Sequence, residues 1–382
     1  MGHGSGKITM EPFKNLISED VVTLTGLHLG KALPDLDKDA FVASILPHLE
    51  QLELKQRVQF ISEKLLTVLP SNVRERNKIL VAMLHPDKLG HAMKPSTQEG
   101  LCGWGVWPLT DVIGKSGLED FEDSMSALRE ITMRGTSEFD VRPFIEADAK
   151  RALSIILGWA GDKNEHVRRL ASEGSRPRLP WGMRLKTLIA DPAMTIPILQ
   201  ALRDDPSEYV RRSVANHLND IAKDHPDFVA GIAGDWMRDA SNNRQKLIRH
   251  ACRSLIKQGH KETLAVFGLG SPIISSPQIE IATGSVVLGG ALEFCVTLSS
   301  EGREPQKMLI DYVVHHRKAN GTLAPKVFKW KQFILQPNET VTYARQHAIR
   351  PITTRKYYSG EHVLSLRING QDFGGAVFEL SI

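Results

Sequence analysis

The 382 residues, with an apolar fraction ordinary for a soluble chain, suffice for two or three hydrophobic cores. A formal net charge of +4, from 48 basic and 44 acidic residues, does not by itself identify a nucleic-acid binder; its distribution says more, because residues 160–262 hold 18 Lys plus Arg against 13 Asp plus Glu. Three widely spaced cysteines, Cys102, Cys252 and Cys295, argue against a disulfide framework, no metal-ligand spacing is present, and no run of about 18 apolar residues can span a bilayer.

Residues 1–9 (MGHGSGKIT) lack the apolar core of a secretory signal and read as an expression scar or a disordered start, which leaves the cytoplasm as the default location. Apolar residues at helical spacing over 40–49, 56–68 and 73–84 predict antiparallel helix pairs. A Gly/Trp-rich connection at 100–108 interrupts them. A helix resumes over 121–134, where Gly135 is placed to end it. Pro143 suits the first turn of a helix over 143–160, where its missing N–H is not needed, and Asp191-Pro192 and Asp205-Pro206 repeat that start signal. Further helices are expected over 207–224, 228–237 and 243–258.

Within this helical stretch NEHVRRLASEGSRP (164–177) is matched by SEYVRRSVANHLND (207–220), so that Val167-Arg168-Arg169 recurs 43 residues later as Val210-Arg211-Arg212. Ile248-Arg249-His250 is a third, degenerate copy. A period of about 40–47 residues built from helix pairs is the signature of a HEAT-like solenoid. The character changes at Gly268: after a Gly/Pro/Ser linker, short β-rich segments at 278–282, 292–298, 309–315, 327–335, 340–344, 363–368 and 376–382 alternate with turn clusters such as Asn320-Gly321 and Asn369-Gly370. That spacing describes an immunoglobulin-like β-sandwich without an inter-sheet disulfide. The expected architecture is therefore a HEAT-like α-helical solenoid at 10–267 followed by a sandwich at 268–382.

TSEFDVRPF (136–144), NEHVRRLASEGSRPRLPW (164–181) and YVRRSVANHLNDIAKDHP (209–226) resemble the motifs of the AlkC/AlkD superfamily of bacterial alkylpurine DNA glycosylases, and the added sandwich resembles the AlkC branch. The likeness covers the helical region to about residue 267. It implies hydrolysis of the N-glycosidic bond of a cationic alkylated purine, chiefly 3-methyladenine, in double-stranded DNA and without base flipping. Alkylation at N3 or N7 makes the base a good leaving group and leaves an oxocarbenium-like deoxyribose. Such a reaction calls for carboxylates near the sugar, to stabilise the cation and orient water, and for an aromatic face.

Matched motif by motif, the acids are Glu138, Glu173 and Asp220, with Trp181 as the aromatic wall; we assign cation stabilisation to Glu173 and water positioning to Asp220. Glu173 draws attention on its own, because Gly174 and Pro177 end its helix just beyond it and a carboxylate there opposes the macrodipole. Each acid has a plainer alternative as an ion-pair partner of nearby Arg or Lys. Lys186 could form a Schiff base only if desolvated, which nothing in the sequence suggests, so a monofunctional, monomeric hydrolase without cofactor or metal is expected.

DNA binding falls to Arg168, Arg169, Arg211 and Arg212 at corresponding repeat positions, extended by Arg176, Arg178, Arg184, Arg244, Lys246 and Arg249, with half of these expected to pair with neighbouring acids instead. The sandwich could add a contact through residues 315–318 or 326–331. Two rival readings remain: a catalytically inactive HEAT-like DNA-binding repair protein, and a protein-binding scaffold.

Overall fold

Side-chain caps set many of the helix boundaries in the computed structural model, which describes residues 12–88 and 94–382. The expectation for residues 1–9 lies outside the described residues. The Ser18 hydroxyl accepts from the Val21 amide to start α1 (Glu19–Ala32), and Asp37 does the same for α2 (Lys38–Ala43). Pro47 stands in the first turn of α3 (Leu46–Leu49), so the predicted helix over 40–49 is two short ones. The Gln56 side chain accepts from the Glu53 amide at the start of α4 (Leu54–Val68), and Asn72 caps α5 (Val73–Ala82).

The Gly/Trp-rich segment is more ordered than a connection. Gly103–Val106 is a 3-10 turn, and Trp107 then opens α6 (Trp107–Ser116) with Pro108 in its first turn. After α7 (Phe121–Ile131), the helix expected over 143–160 is divided at Asp148. That residue ends α8 (Arg142–Ala147), and its carboxylate accepts from the Arg151 amide to begin α9 (Ala149–Trp159).

The repeat then follows. Asn164 caps α10 (Glu165–Gly174); α11 (Lys186–Ala190) and α12 (Ile196–Leu202) lead to α13 (Glu208–Ile221). Helix α10 packs on α9, α12 and α13, as stacked helix pairs require. Val167 and Val210, the first residues of the two Val-Arg-Arg segments, are fully buried at equivalent places.

The chain up to Asp224 forms one compact unit and the chain from His225 another. The sequence placed its division at Gly268; the second unit also includes α14 (Pro226–Met237), α15 (Asn242–Ala251), α16 (Arg253–Gln258) and α17 (Lys261–Val266). The break between α15 and α16 at Cys252 divides the helix expected over 243–258.

The strands are β1 (Gln278–Ile281), β2 (Ser285–Val287), β3 (Ala291–Ser299), β4 (Gln306–Arg317), β5 (Leu323–Leu335), β6 (Thr340–Ala348), β7 (Gly360–Ile368) and β8 (Gln371–Ser381). They make two sheets, β1-β3-β6 and β2-β8-β7-β4-β5, that enclose a core containing Phe294, Tyr312, Leu366 and Phe378. The seven predicted strands are all present. The eighth, β2, has three residues and runs parallel to β8, too short to leave a period-two pattern. Asn369 and Gly370, both at positive φ, form the two-residue turn of the β7–β8 hairpin, as Asn-Gly favours. The fold is thus a HEAT-like helical region followed by an immunoglobulin-like sandwich.

Candidate active site

Three distant acids converge in the first unit. Glu138 lies in the turn between α7 and α8, Glu173 in the last turn of α10, and Asp220 near the end of α13; all are buried. One chain of ion pairs joins them. Arg169 pairs with Glu138 and lies 3.5 Å from Glu173, while Arg176 donates to Glu173 at 2.6 Å and to Asp220 at 2.8 Å. Ser213 Oγ donates to the other Glu173 oxygen at 2.5 Å, and Lys223 Nζ to the other Asp220 oxygen at 2.9 Å. Glu138 Oε2 also accepts from Thr136 Oγ1 at 2.9 Å, whereas its Oε1 has no hydrogen-bond partner among the described residues.

This ladder answers the dipole problem at Glu173, because two guanidinium groups offset both burial and the helix C-terminus. Burial alone pushes the Glu173 carboxyl up, but Arg169, Arg176 and the Ser213 hydroxyl outweigh it and hold the group below the usual carboxylate range. Burial likewise opposes the charge on Arg169 and Arg176, and their acidic partners raise both above the ordinary value. Glu173 is therefore kept ionised in a site largely withdrawn from water.

Arg142 fixes the segment that follows. Fully buried, it donates from Nε to the Met183 carbonyl and from Nη1 to the Gly174 carbonyl, each at 2.8 Å, tying the end of α10 to the connector that carries Trp181. Burial first, and then the charge of Arg176, lower its pKa to about 10. Trp181 is 56% exposed and stands at φ +66°, a conformation unusual for a bulky residue and held only where the surroundings impose it. Its carbonyl accepts from Lys55 Nζ at 2.5 Å and its ring meets Phe13 edge-on at 6.5 Å. Trp181 thus stands outside the ion-pair chain that unites the three acids.

Beside Glu138 opens a cavity of about 490 Å³ walled by Trp104, Trp107, Phe139 and Tyr209, with Arg169 in its lining. Trp107 stacks on Phe139 at 4.9 Å and meets Trp104 at 5.7 Å; the Arg169 guanidinium lies over the Tyr209 ring at 5.2 Å. Arg142, Ser213, Trp104 and Tyr209 were not singled out from the sequence. Three of them do lie in or beside the segments that carry the resemblance: Arg142 in TSEFDVRPF, Tyr209 and Ser213 in YVRRSVANHLNDIAKDHP.

The basic residues divide into several kinds. Arg168 Nε donates to the Asp205 carboxylate at 2.6 Å and Nη1 to the Asp162 and Lys163 carbonyls; Arg211, at the equivalent position, donates to the Asp205 and Pro206 carbonyls. Both therefore brace the turn that precedes their own helix. Arg169 and Arg176 belong to the ladder. Arg178 makes a two-point pair with Asp224, and Arg212 is exposed and pairs with Glu208 at 2.8 Å. Arg244, Lys246 and Arg249 lie on α15 in the second unit, where Arg249 donates to Gln332 at 2.9 Å.

In the sandwich, His316 is buried, which withdraws that side chain from a DNA-contacting role for residues 315–318; Lys326, Lys329 and Lys331 are exposed along β5. Also in the second unit, His260 Nε2 lies 3.0 Å from Asp227 and 3.5 Å from Glu262, with Nδ1 at 3.0 Å from Thr263 Oγ1; hydrogen bonding and helix capping account for this trio.

Residues 275–382 match the family model described as "Uncharacterised protein YhaZ, C-terminal Ig-like domain". The chain is 37% identical over 364 residues to the uncharacterized protein YhaZ of Bacillus subtilis (strain 168), an alignment spanning 95% of this chain and 97% of the relative. It is also similar to a solved structure, Pseudomonas fluorescens alkylpurine DNA glycosylase AlkC bound to DNA containing an abasic site analog. That likeness has a TM-score of 0.82 at 36% identity and covers 97% of this chain and 100% of the other. No helix among the described residues is long and apolar enough to cross a membrane. Fold, length and sequence agree: the chain belongs to the AlkC family of the AlkC/AlkD HEAT-like-repeat superfamily.

Proposed function

We propose that this protein is a monofunctional DNA glycosylase that hydrolyses the N-glycosidic bond of cationic alkylated purines, chiefly 3-methyladenine, in double-stranded DNA. The observation that carries the reading is the convergence of Glu138, Glu173 and Asp220 on one ion-pair ladder, in which burial is overcome and Glu173 stays charged. A methylated purine already bears a positive charge and leaves as a neutral base. Catalysis then reduces to stabilising the deoxyribose cation and directing water onto its C1′ atom, and a fixed negative charge in a dry site does this without reorganising.

The ladder gives the three acids unequal tasks. Both oxygens of Glu173 and of Asp220 are taken by cationic or hydroxyl donors, whereas Glu138 lines the cavity with one oxygen unpartnered among the described residues. Glu138 is accordingly the acid that meets the sugar cation and its incoming water, with Glu173 and Asp220 positioning it through Arg169 and Arg176. Trp181, exposed and held in a strained backbone, supplies the aromatic face on the DNA side. Lys186 is exposed, which disfavours a Schiff base and supports simple hydrolysis.

DNA would be held through its phosphates by cations that keep an open face, Arg212 and Lys246 foremost, giving salt-sensitive and sequence-tolerant binding. The test is incubation of the full chain with N-methylated duplex DNA, chromatography of the released purines and borohydride trapping. The reading expects free 3-methyladenine, abasic sites and no trapped adduct. Intact DNA bound without release of base would instead establish an inactive DNA-binding protein.

A further inference from the structure

Hydrolysis at the sugar requires the ladder, but it does not require the aromatic cavity next to it. That cavity is built by separate parts of the first unit: Trp104 and Trp107 from the 3-10 turn and the start of α6, Phe139 from the turn beside Glu138, and Tyr209 from the first turn of α13. Its volume, about 490 Å³, falls within the range of roughly 300–1,000 Å³ usual for small-molecule sites. Trp107 and Phe139 stack on each other to give a flat wall, Trp104 is tilted against it, and Tyr209 is braced by the Arg169 guanidinium. Two carboxylates, Glu138 and Glu165, stand among the rings.

Flat apolar walls and a few acceptor oxygens suit a planar heteroaromatic ring bearing an exocyclic amine, whose faces stack on the rings and whose N–H groups donate to a carboxylate. Ring faces and carboxylates also favour a ligand with cationic character, as a methylpurine has when protonated. We propose that this aromatic box binds the excised methylpurine after the glycosidic bond breaks, so that the site holds the product as well as cleaving it from the sugar. This rests on the glycosylase reading for the identity of the base. It needs no rotation of the DNA backbone, because a base freed from C1′ moves independently of the strand. Glu138 and Arg169 belong to both the ladder and the box, which places the two compartments side by side.

The experiment is equilibrium dialysis of free 3-methyladenine against the full chain without DNA, with unmodified adenine as the comparison. Saturable binding of 3-methyladenine, stronger than that of adenine and weakened about tenfold or more by Trp104→Ala and by Phe139→Ala, is the expected result. Glu173→Gln should bind the base as the parent chain does while losing excision. Absence of saturable binding by the parent chain, or undiminished binding by folded Trp104→Ala and Phe139→Ala, overturns the proposal. Should either variant fail to fold, intermolecular Overhauser effects from indole protons of the parent chain to the purine methyl group decide: their presence supports the box and their absence overturns it. Base binding without any excision of methylated DNA would defeat the glycosylase reading and leave the box standing; excision without base binding would do the reverse.

Discussion

The two Val-Arg-Arg segments fold alike and are used differently. In both α10 and α13 the valine is buried and the first arginine, Arg168 or Arg211, donates to two carbonyls of the preceding turn. The second arginine diverges. Arg169 is 17% exposed and holds Glu138 and Glu173, whereas Arg212 is 65% exposed and pairs with Glu208 one turn away. Farther along the same register Glu173 is answered by Asn216. The shared positions build the solenoid, and the candidate chemistry sits where the equivalence fails.

Substitution of the second arginine separates the two uses most sharply. Arg169→Met leaves Glu138 and Glu173 buried without their shared cation and should cost about 3–5 kcal/mol of unfolding free energy, the scale for breaking a buried pair. Arg212→Met should change stability by less than about 0.5 kcal/mol, as exposed pairs do. Urea unfolding of both variants measures the contrast, and equal costs would erase the distinction. Arg168→Met and Arg211→Met, by contrast, should each destabilise by about 1–3 kcal/mol, because each strips two carbonyls of the preceding turn of their guanidinium donor, and Arg168→Met also leaves the buried Asp205 carboxylate with the Ser207 amide but without its cation.

Ionisation offers a smaller and more local test. Buried Asp140, next to the Phe139 wall, has its pKa raised from 3.8 to about 8 by burial, against the Thr110 hydrogen bond. Between those values the folded chain keeps a proton that the unfolded chain has lost, so this group lowers stability as pH rises, by up to about 1.4 kcal/mol per pH unit. Asp140→Asn removes that slope, and its stability relative to the parent chain should grow from pH 5 to pH 8. A constant difference across that window would show that Asp140 is ionised in the folded state.

His217 carries the opposite sign. Burial lowers its pKa to about 4, against the bond to the Ser172 carbonyl, so the unfolded chain takes up a proton first as pH falls through about 6.5. The stability His217 contributes is complete above about 6.5 and is lost toward pH 4. A variant His217→Gln should flatten the acid limb of the unfolding curve; an unchanged limb would contradict a neutral, buried ring.

The fold was legible wherever local chemistry spoke. Turn residues such as Asn369-Gly370 marked the hairpins, and the 43-residue recurrence marked the stacked helices. Helix α6 was missed because the glycines and tryptophans around it read as a break, although Pro108 was positioned to start it. Asp148 divides α8 from α9 through one side-chain cap, a detail that apolar periodicity does not carry. For the site, the resemblance picked out the three acids that the ladder unites, but their order of exposure was not visible: Glu173 and Asp220 are saturated and Glu138 opens on the cavity. Beside Glu138 in the sequence, Arg142 reads as an ion-pair neighbour, because a fully buried arginine that donates to main-chain carbonyls has no signature in one sequence.

The most direct measurement is the single-turnover rate of 3-methyladenine release by Glu138→Gln, beside the parent chain and with DNA affinity measured on both. Removing the charge that faces the sugar, while keeping the shape of the side chain, should slow release by about 10²–10³-fold and leave DNA affinity nearly unchanged. Release at the parent rate by a folded Glu138→Gln protein would contradict the assignment of catalysis to this ladder.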